Sequence, residues 1–180
     1  MRYYLLAILC FLSAQDDCVD GRYMDPLFGV EVSYGVEYGE NVNEEFLFGN
    51  EYDQTLYMDI YEPVGDILED RPLIFFMFGG SFVGGSRDSG YMVELCNSYA
   101  SMGYVAVAID YRLTPNLIFE ANAQKAYEAV IKGIHDLKAA IRYFRMNDEL
   151  IEAQYDITKK TKIKKFYKEN KILIYVFIFF

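Results

Sequence analysis

The residues with the most evident chemical potential form one short turn, Phe78-Gly79-Gly80-Ser81-Phe82-Val83-Gly84-Gly85-Ser86, directly behind the apolar run Pro72 to Met77. Glycines crowded at the end of a buried strand let the backbone approach a ligand and turn its amides outward. Three chemistries use such a turn. A phosphate-binding loop needs Gly, four residues, then Gly-Lys-Ser/Thr. Gly79 to Ser86 matches except that Gly85 stands where the lysine belongs, which leaves a phosphate charge unanswered. A dinucleotide fingerprint needs Gly-x-Gly-x-x-Gly opening a helix, and that spacing is absent. The remaining use is an oxyanion hole, in which amides stabilise the negative oxygen of a tetrahedral acyl-transfer intermediate.

Other reactive side chains are sparse. No Gly-x-Ser-x-Gly occurs in the 180 residues. Ser81, Ser86 and Ser89 lie in or just after the glycine turn rather than on a strand-to-helix elbow, so they are poor nucleophiles. A single histidine, His135, falls at the edge of a helical apolar stripe, and its neighbour Asp136 projects about 100° away around that helix, so His135 is read as a surface or core residue. With one histidine and three cysteines the chain assembles neither a His-rich metal site nor a four-cysteine zinc cluster. No metal and no cofactor is expected.

The elements that must position the turn are readable in the pattern. Val30 to Tyr38 alternates apolar and polar residues, as does Thr55 to Tyr61, which predicts two half-buried strands at the antiparallel start of a sheet. Pro72–Phe78 and Tyr104–Ile109 are continuous apolar runs, which predicts strands covered on both faces, as in a parallel sheet between helices. Between them Met92, Leu95, Tyr99 and Met102 recur at helical spacing, with Gly103 placed to end the helix. Strand, helix and strand make a crossover unit. A second helix is predicted from about Ala121 to Asn147 on the stripe Ala126, Val130, Ile134, Leu137, Ile141 and Phe144, a core contact. The fold class is α/β with a mixed, mostly parallel sheet and flanking helices.

Three blocks in order resemble the α/β-hydrolase carboxylesterases of the hormone-sensitive-lipase-like and feruloyl-esterase-like branch. The first is Pro72 to Ser86, which is similar to that branch's oxyanion segment, usually His-Gly-Gly-Gly-Phe. The second is Gly103-Tyr104-Val105-Ala106-Val107-Ala108-Ile109-Asp110-Tyr111-Arg112-Leu113-Thr114-Pro115. The third is the helix segment His135 to Arg145, and together the likeness spans about residues 30 to 157. It implies that the amides of Gly80 and Ser81 are oxyanion donors and that Phe82 walls the acyl pocket. Asp110 and Arg112 would form an internal ion pair ordering the turn after their strand, with substrate contact the other reading. Phe78 replaces the bracing histidine, which puts loop rigidity in doubt rather than the backbone donors. The implied parent activity is hydrolysis of small carboxylic esters through an acyl-serine intermediate. Such a triad runs nucleophile, acid, histidine along the chain, and none of it is present here. The chain therefore reads as an α/β-hydrolase cut short before its nucleophile elbow, with negligible activity alone. A non-catalytic secreted binding protein is the alternative, and an unfinished sheet edge invites self-association.

The ends read differently from the body. Met1-Arg2, the apolar run Tyr3–Leu12 and Ser13-Ala14 predict a signal peptide over residues 1–14, hence a secreted or periplasmic protein; a buried N-terminal element is the other reading. Export would leave Cys18 and Cys96 in the mature chain, either paired in an oxidising compartment or free. Residues 15–157 form the hydrolase portion. Residues 158–180 carry seven of the chain's 17 basic residues and one acid, Glu169. This appendix is a last strand, a basic surface anchor, or sequence foreign to the parent gene; its AT-rich codon types favour the third. Its terminal apolar run is too short to span a bilayer as a helix. Net charge is −10, the wrong sign for neutralising nucleic-acid phosphates.

Overall fold

The computed structural model describes residues 21–45, 48–68, 71–114, 123–154 and 175–178, the last group and 147–154 by their backbone only. The predicted signal peptide, Cys18 and most of the basic appendix lie outside them. The elements run β1 (Gly29–Glu44), β2 (Glu51–Val64), β3 (Leu73–Met77), α1 (Gly90–Ser101), β4 (Val105–Ile109), α2 (Ala123–Gln154) and β5 (Tyr175–Ile178). They build a mixed sheet of order β1-β2-β4-β3-β5. The described pairings divide evenly: β1 with β2 and β2 with β4 are antiparallel, β3 with β4 and β3 with β5 parallel. Both β1 and β2 run further than their apolar alternation, because Asn41–Glu44 and Glu51–Gln54 pair across the hairpin with solvent on most of their side chains. Backbone pairing there leaves no period for the sequence to show.

Every residue of β3 and β4 is buried, as continuous apolar runs require. Neighbouring strand residues point to opposite faces. Phe75 meets Phe144 of α2 edge to face with centroids 5.5 Å apart, and Phe76 meets Tyr99 of α1 at 5.3 Å. The two helices therefore cover the two faces of the parallel part of the sheet. On α2 the buried stripe is Ala129, Gly133, Asp136, Leu137, Ala140 and Phe144, partly out of phase with the expected one; Ala126 is exposed. Small residues at its centre let the helix come close: a Cβ on Gly133 would stand 3.1 Å from Phe82 Cε1 and 3.3 Å from Met77 Cε.

At the end of the sheet where β3 and β4 begin, a charge cluster ties the first described segment to the body. The Asp66 carboxylate, with no exposed side-chain surface, accepts from Arg22, from Arg71 Nε at 2.8 Å and from the Leu68 amide at 2.9 Å. Arg22 also lies over the Tyr23 and Phe28 rings, 5.2 and 5.1 Å from their centroids. Burial pushes the Asp66 carboxyl up, but the bonds from Arg22, the Leu68 amide and Arg71 outweigh it and hold the group below its usual range. A carboxylate depressed in the folded state adds stability above its unfolded pKa, about 4, and that contribution is lost as pH falls through the folded value. Asp66→Asn is therefore expected to melt below the native chain above about pH 5, with the gap closing on acidification. Melting temperatures of both proteins between pH 7 and pH 2 check this; a gap independent of pH contradicts it.

Candidate functional site

The glycine turn leaves the carboxyl end of β3 beside the carboxyl end of β4, where open α/β sheets bind ligands. Three consecutive residues are left-handed: Gly80 at φ +129°, Ser81 at +53° and Phe82 at +63°. The Val83 amide donates to the Gly80 carbonyl at 3.0 Å, closing a tight turn with both central residues at positive φ, the type I′ pattern. Non-glycine residues in that region are strained, and such strain concentrates at functional turns. At Gly80 only glycine fits, since a Cβ would lie 2.0 Å from the Gly84 carbonyl oxygen. Gly80 and Ser81 are exposed, and among the described residues neither amide has an acceptor.

Aromatic residues hold this turn where the sequence offered Phe78 for a bracing histidine. The Phe78 ring stacks on Tyr111 with centroids 4.4 Å apart, and the Tyr111 hydroxyl donates to the Phe78 carbonyl at 2.7 Å. Burial pushes the Tyr111 phenol up to about 12, so it stays a neutral donor. The Gly79 amide donates to the Tyr91 hydroxyl at 2.8 Å, and the Thr114 amide to the Phe82 carbonyl at 2.6 Å. Phe82 itself is buried edge-on against Tyr111, with centroids 5.7 Å apart, and lies against Gly133. Its ring is packed beneath the turn.

The turn after β4 corrects one expectation. Asp110 and Arg112 do not pair with each other. Asp110 pairs with Arg87, which leaves the glycine turn and also binds Asp59 Oδ1 of β2 at 3.0 Å. Asp59 is 1% exposed and accepts in addition from the Gly35 amide at 2.7 Å. Gly35, at φ +62°, lies in an irregularity of β1, a bulge that turns its amide to the carboxylate. Burial raises the Asp110 carboxyl, and Arg87 opposes the rise.

Arg112 instead points into the body and meets Asp136 of α2. Its Nε donates to both carboxylate oxygens at 3.0 Å, its backbone amide donates at 2.9 Å, and Nη1 reaches the Val42 carbonyl of β1 at 2.8 Å. His135 is exposed. Cys96 is a free, fully buried thiol on α1, pushed up to about 12 by burial, and so no nucleophile.

The roles of Asp59, Arg87, Tyr91 and Tyr111 were not visible in local pattern. Asp136 had a signal: it keeps phase with the buried Ala129, Gly133 and Ala140.

A family model, BD-FAE, matches residues 58–163, a span that holds the glycine turn, the Asp110–Thr114 turn and the described start of α2. The chain belongs to the BD-FAE family. Among solved structures, this BD-FAE chain is similar to esterase B from Lactobacillus rhamnosis, with 21% identity and a TM-score of 0.43 over 79% of this chain and 38% of that one. It is similar as well to the thermophilic esterase Est2 from Thermogutta terrifontis, with 28% identity and a TM-score of 0.39 over 61% and 34%. Brefeldin A esterase, described as a bacterial homologue of human hormone sensitive lipase, gives 20% identity and a TM-score of 0.40 over 83% and 37%. The chain thus spans less than two fifths of the length of each. No curated protein matches it.

Proposed function

We propose that this BD-FAE chain carries the oxyanion-binding part of a hydrolase of small carboxylic esters, which in the parent protein proceeds through an acyl-serine intermediate. The observation that carries the reading is the left-handed turn at Gly80, Ser81 and Phe82, where the amides of the exposed Gly80 and Ser81 have no acceptor among the described residues. When a nucleophile attacks an ester carbonyl, the carbonyl oxygen gains the charge that such amides stabilise, and donors already in place cost no reorganisation at that moment. Phe82, packed under the turn, sets the floor of the acyl side. Asp110 and Arg112 order the neighbouring turn through Arg87 and Asp136. The apolar start of the chain supports export to an extracellular or periplasmic compartment. No observation favours a purely binding role.

These 180 residues contain no serine elbow. Oxyanion donors and binding without a triad leave a rate roughly 10³–10⁴ above water, too slow for a routine assay. The chain is expected to hydrolyse 4-nitrophenyl butyrate at a rate indistinguishable from buffer; hydrolysis abolished by a serine-directed phosphonate contradicts this. The reading itself is tested on the message: transcript sequence beyond codon 157, in any frame, is expected to encode Gly-x-Ser-x-Gly followed by an acid and a histidine. A transcript without them overturns it.

A further inference from the structure

Tyr91 stands in the first turn of α1 and is 48% exposed, so burial does not account for it. Its hydroxyl oxygen accepts the Gly79 amide at 2.8 Å. Gly79 is the residue before the first left-handed one, and its N–H is otherwise a third amide beside those of Gly80 and Ser81. The phenol takes that amide out of the set and leaves the other two. The remaining anchors of the turn act on carbonyls: Tyr111 on Phe78 and the Thr114 amide on Phe82. Tyr91 alone among these acts on an N–H, and it does so from the helix into which the glycine segment leads.

We propose that Tyr91 is a positioning residue for ester binding, orienting the turn so that the Gly80 and Ser81 amides face the substrate carbonyl oxygen while Gly79 faces the phenol. This deepens the oxyanion reading and rests on it. A tyrosine suits the task because its hydroxyl accepts one hydrogen bond and keeps its own proton to donate. Phenylalanine at this position keeps the ring and removes only the oxygen.

The test is amide-resolved NMR on the full 180-residue chain and on Tyr91→Phe, with sodium butyrate as the probe, its carboxylate standing in for the oxyanion. In the native chain Gly79 is expected to exchange its amide proton at least tenfold more slowly than in the variant, and butyrate to shift Gly80 and Ser81 selectively. In Tyr91→Phe the butyrate Kd at those amides is expected to rise at least threefold, with an unchanged urea midpoint. Equal Gly79 exchange and equal butyrate affinity in the two proteins overturn the proposal. Native Gly80 and Ser81 amides indifferent to butyrate sink the oxyanion reading and the proposal with it, so the native titration alone separates the two failures.

Discussion

Asp136→Ala is expected to destabilise the chain by about 3–5 kcal/mol, because it strands the Arg112 guanidinium in the interior. Asp136 is 0% exposed and receives the Arg112 side chain on both carboxylate oxygens together with the Arg112 backbone amide. Two further bonds, from Nη1 to the Val42 carbonyl and from Nη2 to the Lys132 carbonyl at 3.4 Å, fix the guanidinium between β1 and α2. Once the carboxylate is gone the arginine cannot reach water without breaking them. Domains of this size are stable by roughly 5–15 kcal/mol, so the loss is a large share of the total and corresponds to a Tm lower by on the order of 10 °C. Urea unfolding followed by circular dichroism measures it. The double variant Arg112→Met/Asp136→Leu removes both charges, and it is expected to recover most of the loss. A single variant within 1 kcal/mol of the native chain would show the pair to be incidental.

Gly80→Ala is expected to abolish the turn rather than merely weaken it. The new Cβ would lie 2.0 Å from the carbonyl oxygen and 2.9 Å from the carbonyl carbon of Gly84, and both are backbone atoms that no rotamer change can move. The position also sits at φ +129°, which L side chains avoid at a cost of about 1–3 kcal/mol before any clash is added. The main chain must rebuild, and the Gly80 and Ser81 amides move with it. In a parent enzyme holding a serine elbow, loss of one such donor lowers kcat by about 10²–10³. In the present chain the readout is butyrate binding, expected to disappear from residues 80 and 81. Gly84→Ala is the control, since a Cβ there meets nothing within 4 Å and the residue lacks a positive φ; it is expected to be silent. Equal behaviour of the two variants would show that the turn tolerates a side chain at Gly80.

Elements bounded by strong local pattern were readable in the residues alone. The runs at 73–77 and 105–109 are buried from end to end, and α1, at Gly90–Ser101, ends just before the Gly103 expected to stop it. The sequence under-reported the hairpin arms, whose outer parts pair through backbone and show no apolar period. Of the stripe expected on α2, Leu137 and Phe144 are buried and Val130 and Ile141 pack against the core, but the sequence missed the small residues Ala129, Gly133 and Ala140 that close approach to the sheet demands.

Composition and spacing by themselves determined the α/β class, the order of the inner strands and helices along the chain, and the glycine turn as the candidate site. They also determined the absence of a serine elbow from these residues. Only the tertiary structure decided which charges meet. Arg112 joins a carboxylate 24 residues away, Arg87 bridges Asp59 and Asp110 at separations of 28 and 23, and Gly79 finds a hydroxyl 12 residues on. Helix and strand periods report burial because every residue of an element samples the same core. An ion pair or a single hydrogen bond depends on where two distant elements cross, and no local period encodes that crossing.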